Sequence, residues 1–92
     1  MPQIFKFGGY IIFFWSNENK PVEPIHVHIA KHNPKPNLTK VWITQKGNAL
    51  LCNNNSQIPS NELRKLLKFI DANSNEIIKK WYEYFEEICY YC

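Results

Sequence analysis

The sequence predicts an α+β domain, a four- to five-stranded antiparallel sheet followed by two C-terminal helices. Three observations carry the prediction. Residues 4–52 fall into short apolar runs with a period of two, separated by Gly-, Pro- and Asn-rich turns. Gly8-Gly9 sits between the first two runs as a tight hairpin turn. From residue 60 the period changes, and apolar residues recur at i, i+3, i+4 and i+7, as on an amphipathic helix. At 92 residues the chain is read as one domain, 1–92, with a sheet part over 1–52 and a helical pair over 60–89.

The first two strands are expected over 4–7 and 10–15. Glycine at both turn positions permits the positive φ angles of a type I′ turn. Pairing across it places Phe5, Phe7, Tyr10, Ile12 and Phe14 on one face and Ile4, Lys6, Ile11, Phe13 and Trp15 on the other. Both faces are apolar, whereas an exposed antiparallel sheet usually keeps one polar face. The helices should cover one of them. Something else, a partner protein or a second copy, is expected on the other, so a homodimer is a candidate assembly.

A polar loop with two prolines follows, and then the stretch Glu23-Pro24-Ile25-His26-Val27-His28-Ile29. Its alternation predicts a strand over 25–31 with Ile25, Val27 and Ile29 on one face and His26 and His28 side by side on the other. A second Pro-punctuated loop leads to a strand over 38–44. A turn at Gln45-Lys46-Gly47-Asn48 leads to a last short strand over 49–52. Ser60, after Pro59, is the expected N-cap of the first helix, with Glu62 in its first turn and Leu63, Leu66, Leu67 and Ile70 as its apolar stripe. Ala72-Asn73 interrupts it. Ser74 is the expected cap of the second helix, whose apolar face comprises Ile77, Ile78, Trp81, Tyr82, Phe85, Ile88 and Cys89. The two helices are expected to pack as an antiparallel pair against the sheet.

The totals bound the function. An apolar fraction of 45% with 15% aromatic residues supports a packed core. No apolar run reaches membrane-span length, and residues 1–6 carry no signal-peptide pattern, so a cytoplasmic protein with no membrane contact is expected. The three cysteines form no paired thiolate framework. Cys89-Tyr90-Tyr91-Cys92 reads as two thiols on a frayed tail rather than a redox motif. Net charge is +3 but uneven: residues 1–68 hold nine Lys/Arg and three acids, and residues 69–92 two Lys and five acids. The basic part could draw a polyanion, although ordinary solvated surface explains it as well. There is no Gly-rich phosphate loop, no nucleophile-elbow serine and no paired carboxylates.

His26 and His28 are the strongest chemical candidates. Two imidazoles at i and i+2 on a strand can share one metal ion, a divalent cation being the candidate cofactor. A third ligand would come from His32, Glu23 or Glu18. The same pair could instead supply a general base and a phosphate-binding cation, or simply pack and hydrogen-bond. Asn17 and Glu18, one loop upstream, could orient a substrate and act as base, or serve as turn residues. Lys31 and Lys40 around Trp42 could hold single-stranded nucleic acid by ion pairing and stacking, which makes RNA a candidate partner. A tryptophan there is equally an ordinary core residue.

Pro2-x-Ile4-Phe5-x-Phe7-x-Gly9-Tyr10, Phe13-Phe14-x-Ser16-Asn17-Glu18 and Glu23-Pro24-Ile25-His26-Val27-His28 resemble a small bacterial family, domain of unknown function 4160. The later Leu63…Ile70…Glu76…Trp81-x-x-Tyr84-Phe85 pattern is similar to that family's helical end. Ile25 stands where many members carry proline or a small residue, and residues 31–55 match least. The resemblance implies a gene neighbourhood shared with another small domain, an arrangement like a toxin–antitoxin pair with a cognate small partner protein. It singles out Asn17, Glu18, His26 and His28.

Three functions are therefore expected to compete. The first is a component of a toxin–antitoxin-like module acting on RNA or translation, with His26, His28 and Glu18 catalytic and Asn17, Lys31, Lys40 and Trp42 binding. The second is a non-catalytic protein- or nucleic-acid-binding module, an antitoxin or regulator, using the apolar hairpin. The third is a small metal-dependent hydrolase built on His26 and His28.

Overall fold

Alternating apolar residues and tight turns produce a single antiparallel sheet in strand order β1-β2-β3-β4-β5. The strands are β1 (Gln3–Phe7), β2 (Tyr10–Phe13), β3 (His26–Ala30), β4 (Thr39–Ile43) and β5 (Ala49–Asn53). Two helices follow, α1 (Ser60–Ala72) and α2 (Ser74–Phe85). The computed structural model describes residues 3–15, 23–31 and 38–92. The expected class, strand count and helix count all hold.

Gly8 and Gly9 adopt φ of 58° and 84°, the sign a type I′ turn needs, and Phe7 faces Tyr10 across it. β2 stops at Phe13, which pairs with Gln3 on one side and His28 on the other. Phe14 and Trp15 therefore run past the ladder instead of extending the strand. The face bearing Tyr10, Ile12, Phe14, Ile25, Val27, Ile29, Val41 and Ile43 meets the helices and forms the core. Leu63, Leu66 and Ile70 of α1 and Ile77 and Trp81 of α2 close it. Burying each such side chain contributes about 1.5–3 kcal/mol, so this layer carries the fold. Phe69 adds a second anchor, stacked on Phe7 at 4.4 Å and edge-on to Phe5 at 5.3 Å.

Both helix caps differ from expectation. Ser60 lies inside α1, and the capping position is Pro59, whose carbonyl accepts the Leu63 N–H. Proline's fixed φ with an extended ψ of 142° sets the half-in residue one position early. Ser74 is likewise the first residue of α2, and Asn73 alone joins the helices. The Asn73 amide is used backwards, donating to the Phe69 carbonyl of α1 at 2.8 Å, so it closes α1 rather than capping α2.

α2 also ends sooner than the apolar pattern implies. Glu86 takes a left-handed conformation (φ 58°), which turns the chain out of the helix before Ile88 and Cys89. Tyr82, expected on the apolar face, is 55% exposed, because the row that meets the sheet is Ser74, Ile77 and Trp81. The tail is docked rather than frayed. The Ile25 N–H donates to the Cys89 carbonyl at 2.9 Å, and the Gln45 N–H to the Cys92 carbonyl at 3.1 Å.

Candidate functional site

His26 and His28 project together from β3, as the period of two requires, on the face opposite the core aliphatics. Their ring centroids are 5.0 Å apart with planes at 86°. The face is not polar around them. His26 lies opposite Trp42 and His28 opposite Lys40 and Phe13 in the ladder. Ring centroids place Phe13 at 5.6 Å from His28, and Trp42 and Trp81 at 5.8 and 5.3 Å from His26. β2 has ended where His26 sits, and the indole of Trp81 from α2 meets the imidazole there. The result is burial: His26 is 0% exposed and His28 7%.

The polar atoms are organised around Glu23. His26 Nδ1 lies 2.9 Å from the Pro24 carbonyl, which can only accept, so Nδ1 carries the proton. His26 Nε2 is 3.7 Å from Glu23 Oε2, and the same oxygen is 3.8 Å from Lys40 Nζ. The Lys40 ammonium stands 4.4 Å from the centre of the Trp42 ring. Tyr91 of the tail stacks on that indole at 4.8 Å with planes 5° apart. One carboxylate thus links an imidazole and an ammonium, and two rings and the tail hold the group in place.

Lys40 and Trp42 therefore do join the histidine pair, but as packed partners. Trp42 already holds Tyr91 and Lys40, so a nucleobase stacking there would have to displace the tail. Lys31 is separated from the pair: it lies three residues beyond His28 along the strand direction, about 10 Å at strand rise. It is exposed and approaches the Tyr10 ring at 5.8 Å. With Lys6, Phe7, Gly8, Gly9 and Ile11 it borders an open hollow of about 530 Å³ at the hairpin tip. Asn17 and Glu18 lie outside the described residues, as does His32. Among the described residues no three His, Cys, Asp or Glu side chains gather as a metal site would require. Cys52, Cys89 and Cys92 are exposed thiols.

Sequence reasoning placed the imidazoles on a shared face but missed Trp81 and Tyr91. Trp81 carried a signal only for the core stripe of α2. Tyr91 carried none, since nothing in the spacing of the last residues says where the tail docks.

At the hairpin end, Tyr10 faces Glu62 of α1. Burial, reinforced by the carboxylate of Glu62 and a hydrogen bond to it, holds the Tyr10 phenol above its ordinary range.

A family model described as Domain of unknown function (DUF4160) matches residues 9–82, the greater part of the chain, and the chain belongs to that family. No curated protein and no solved structure matches.

Proposed function

We propose that this member of the DUF4160 family is a non-catalytic protein-binding module, the regulatory half of a toxin–antitoxin-like pair, and that its two histidines serve the fold. The observation that carries the reading is the enclosure of the imidazoles. His26 is fully buried with Nδ1 committed to a backbone carbonyl, and His28 is 7% exposed against Phe13. A general base must reach the proton it takes, directly or through one water. Here the rings are packed as the aromatic part of a second layer. The toxin–antitoxin assignment draws on the gene arrangement that the family resemblance implies.

The test uses His28→Gln, which keeps a similar volume and a hydrogen-bonding end. Purified wild-type protein is incubated with total RNA and with short single strands from pH 5 to 9, and growth is followed after induction. The expected result is no cleavage, no growth arrest, and a variant that differs only in a lowered melting temperature. RNA cleavage or growth arrest by the wild type that a folded His28→Gln variant lacks would overturn the proposal.

A further inference from the structure

Among the described residues, β5 is an edge strand with uncovered apolar side chains. Leu50 pairs with Trp42 and Leu51 with Val41, so the two leucines stand on opposite faces. Both remain exposed, at 39% and 38%. The edge itself is open as well. The Thr44 N–H donates to the Asn48 carbonyl at 2.9 Å, which makes Ile43–Ala49 a non-hydrogen-bonded pair and turns the Ala49 N–H away from β4. Asp71 of α1 accepts that N–H. By the same alternation Leu51 directs its N–H and C=O outward, and among the described residues nothing meets them. A register shift beside Lys40 ends the regular stretch at Cys52.

Edge strands are ordinarily guarded by a charge, a proline or a covering segment. β5 has no charge and no proline, and residues 47–61 contain no charged side chain at all. The charge lies instead on the adjacent helix. Asp71 identifies the side of α1 that borders β5, and Lys68 and Arg64 stand one and two turns back on that side. Both are exposed. An arriving strand would find an open ladder, one leucine on each face, and a pair of cations along the helix side.

We infer that β5 accepts a sixth strand from a partner protein, and that this strand is an extended acidic segment with carboxylates on its helix-facing side and apolar residues on the other. Main-chain hydrogen bonds to Leu51 supply affinity, and Arg64 and Lys68 supply selectivity for acidic side chains. A second copy of this chain is the poorer occupant, because a two-fold axis at Leu51 would bring Arg64 and Lys68 against their own images. The inference rests on the binding-module reading and names its surface.

The probe is a blocked hexapeptide, Glu-Val-Glu-Leu-Glu-Val, titrated into the intact chain while backbone amides are followed by NMR. The expected result is a saturable shift of the Leu51 amide with slowed hydrogen exchange, weakened at least tenfold in the Arg64→Glu/Lys68→Glu variant. A counterpart with lysine in place of glutamate should leave Leu51 unchanged. Leu51→Pro should abolish the peptide-induced shifts of the neighbouring Leu50 and Cys52 amides, and the outward N–H of Leu51 makes proline tolerable at this edge position. No response at β5 at millimolar peptide overturns the inference, as does equal binding of the lysine peptide. Protection of Leu51 that grows with protein concentration alone, alongside a sedimenting dimer, also overturns it in favour of a second copy. These outcomes leave the binding-module reading standing, since that reading fails only through the RNA and growth assays.

Discussion

A buried imidazole must have both its ring surface and its nitrogens accommodated, and His26 has both. Its Nδ1–H donates to the Pro24 carbonyl, and its ring lies against His28, Trp42 and Trp81. Replacing His26 by Ala opens a cavity between two indoles and strands a carbonyl. The expected loss is about 2–4 kcal/mol, read as a lowered midpoint in urea denaturation. His26→Asn should recover part of that loss, because its amide can donate near the same carbonyl. Tyr10 behaves differently, since its phenol is held neutral by burial and by Glu62. Its folded value lies above its unfolded one. The stability it contributes is therefore fully present below about pH 10 and is lost as pH rises through the raised folded value. Tyr10→Phe should remove that alkaline decline while leaving stability near pH 7 with little pH dependence from this site. Denaturation midpoints at pH 8, 9.5 and 10.5 for the two proteins check it. The paired projection of His26 and His28 was legible in the sequence because a strand's period is two. Their burial was not legible, because it depends on Trp81, more than fifty residues away in the chain.

At the level of elements, turns proved easier to read than ends. Gly8-Gly9, the prolines of the two loops and the change of period at residue 60 each mark a local backbone requirement in the sequence, and the five strands and two helices follow from them. The caps were misread for a physical reason. Ser60 and Ser74 have the right chemistry, but Pro59 and Asn73 take the capping positions through backbone geometry and a bond back to Phe69. The β4–β5 turn shows how one such element is tied to the rest. Gly47 has φ 82°, and a Cβ there would lie 3.1 Å from the Ser74 hydroxyl. Gly47→Ala is therefore expected to cost about 1–3 kcal/mol through strain at positive φ, with a further contribution from the close contact. Pairing it with Ser74→Ala separates the two: the double variant should regain the contact part and keep the backbone part. Urea midpoints across the four proteins of the cycle measure that split, and strict additivity would show that the hydroxyl contact does not matter.

For the molecule as a whole, the tail is what turns a two-layer domain into one with both faces of its sheet engaged. The helices cover the aliphatic face, and residues past Glu86 run along the end of the sheet to reach Trp42. Two backbone hydrogen bonds and one stacked ring hold them there, at Ile25, Gln45 and Trp42, together with Ile88 and Tyr90 packed against the core. Each bond contributes about 0.5–1.5 kcal/mol and the ring pair a similar amount. A stop after Glu87 should therefore cost about 2–4 kcal/mol, while the helices, which precede the cut, retain their far-ultraviolet dichroism. The local consequence is sharper than the global one. Trp81 is fully buried in the core, whereas Trp42 is shielded on its open side by Tyr91. Tyr91→Ala should then raise acrylamide quenching of tryptophan fluorescence, measured in a Trp15→Phe background so that Trp42 and Trp81 alone report. If quenching is unchanged while the truncated chain remains fully stable, the tail does not hold the imidazole face shut. His26 and His28, 0% and 7% exposed, would then owe their enclosure to Phe13, Trp42 and Trp81 without help from the tail.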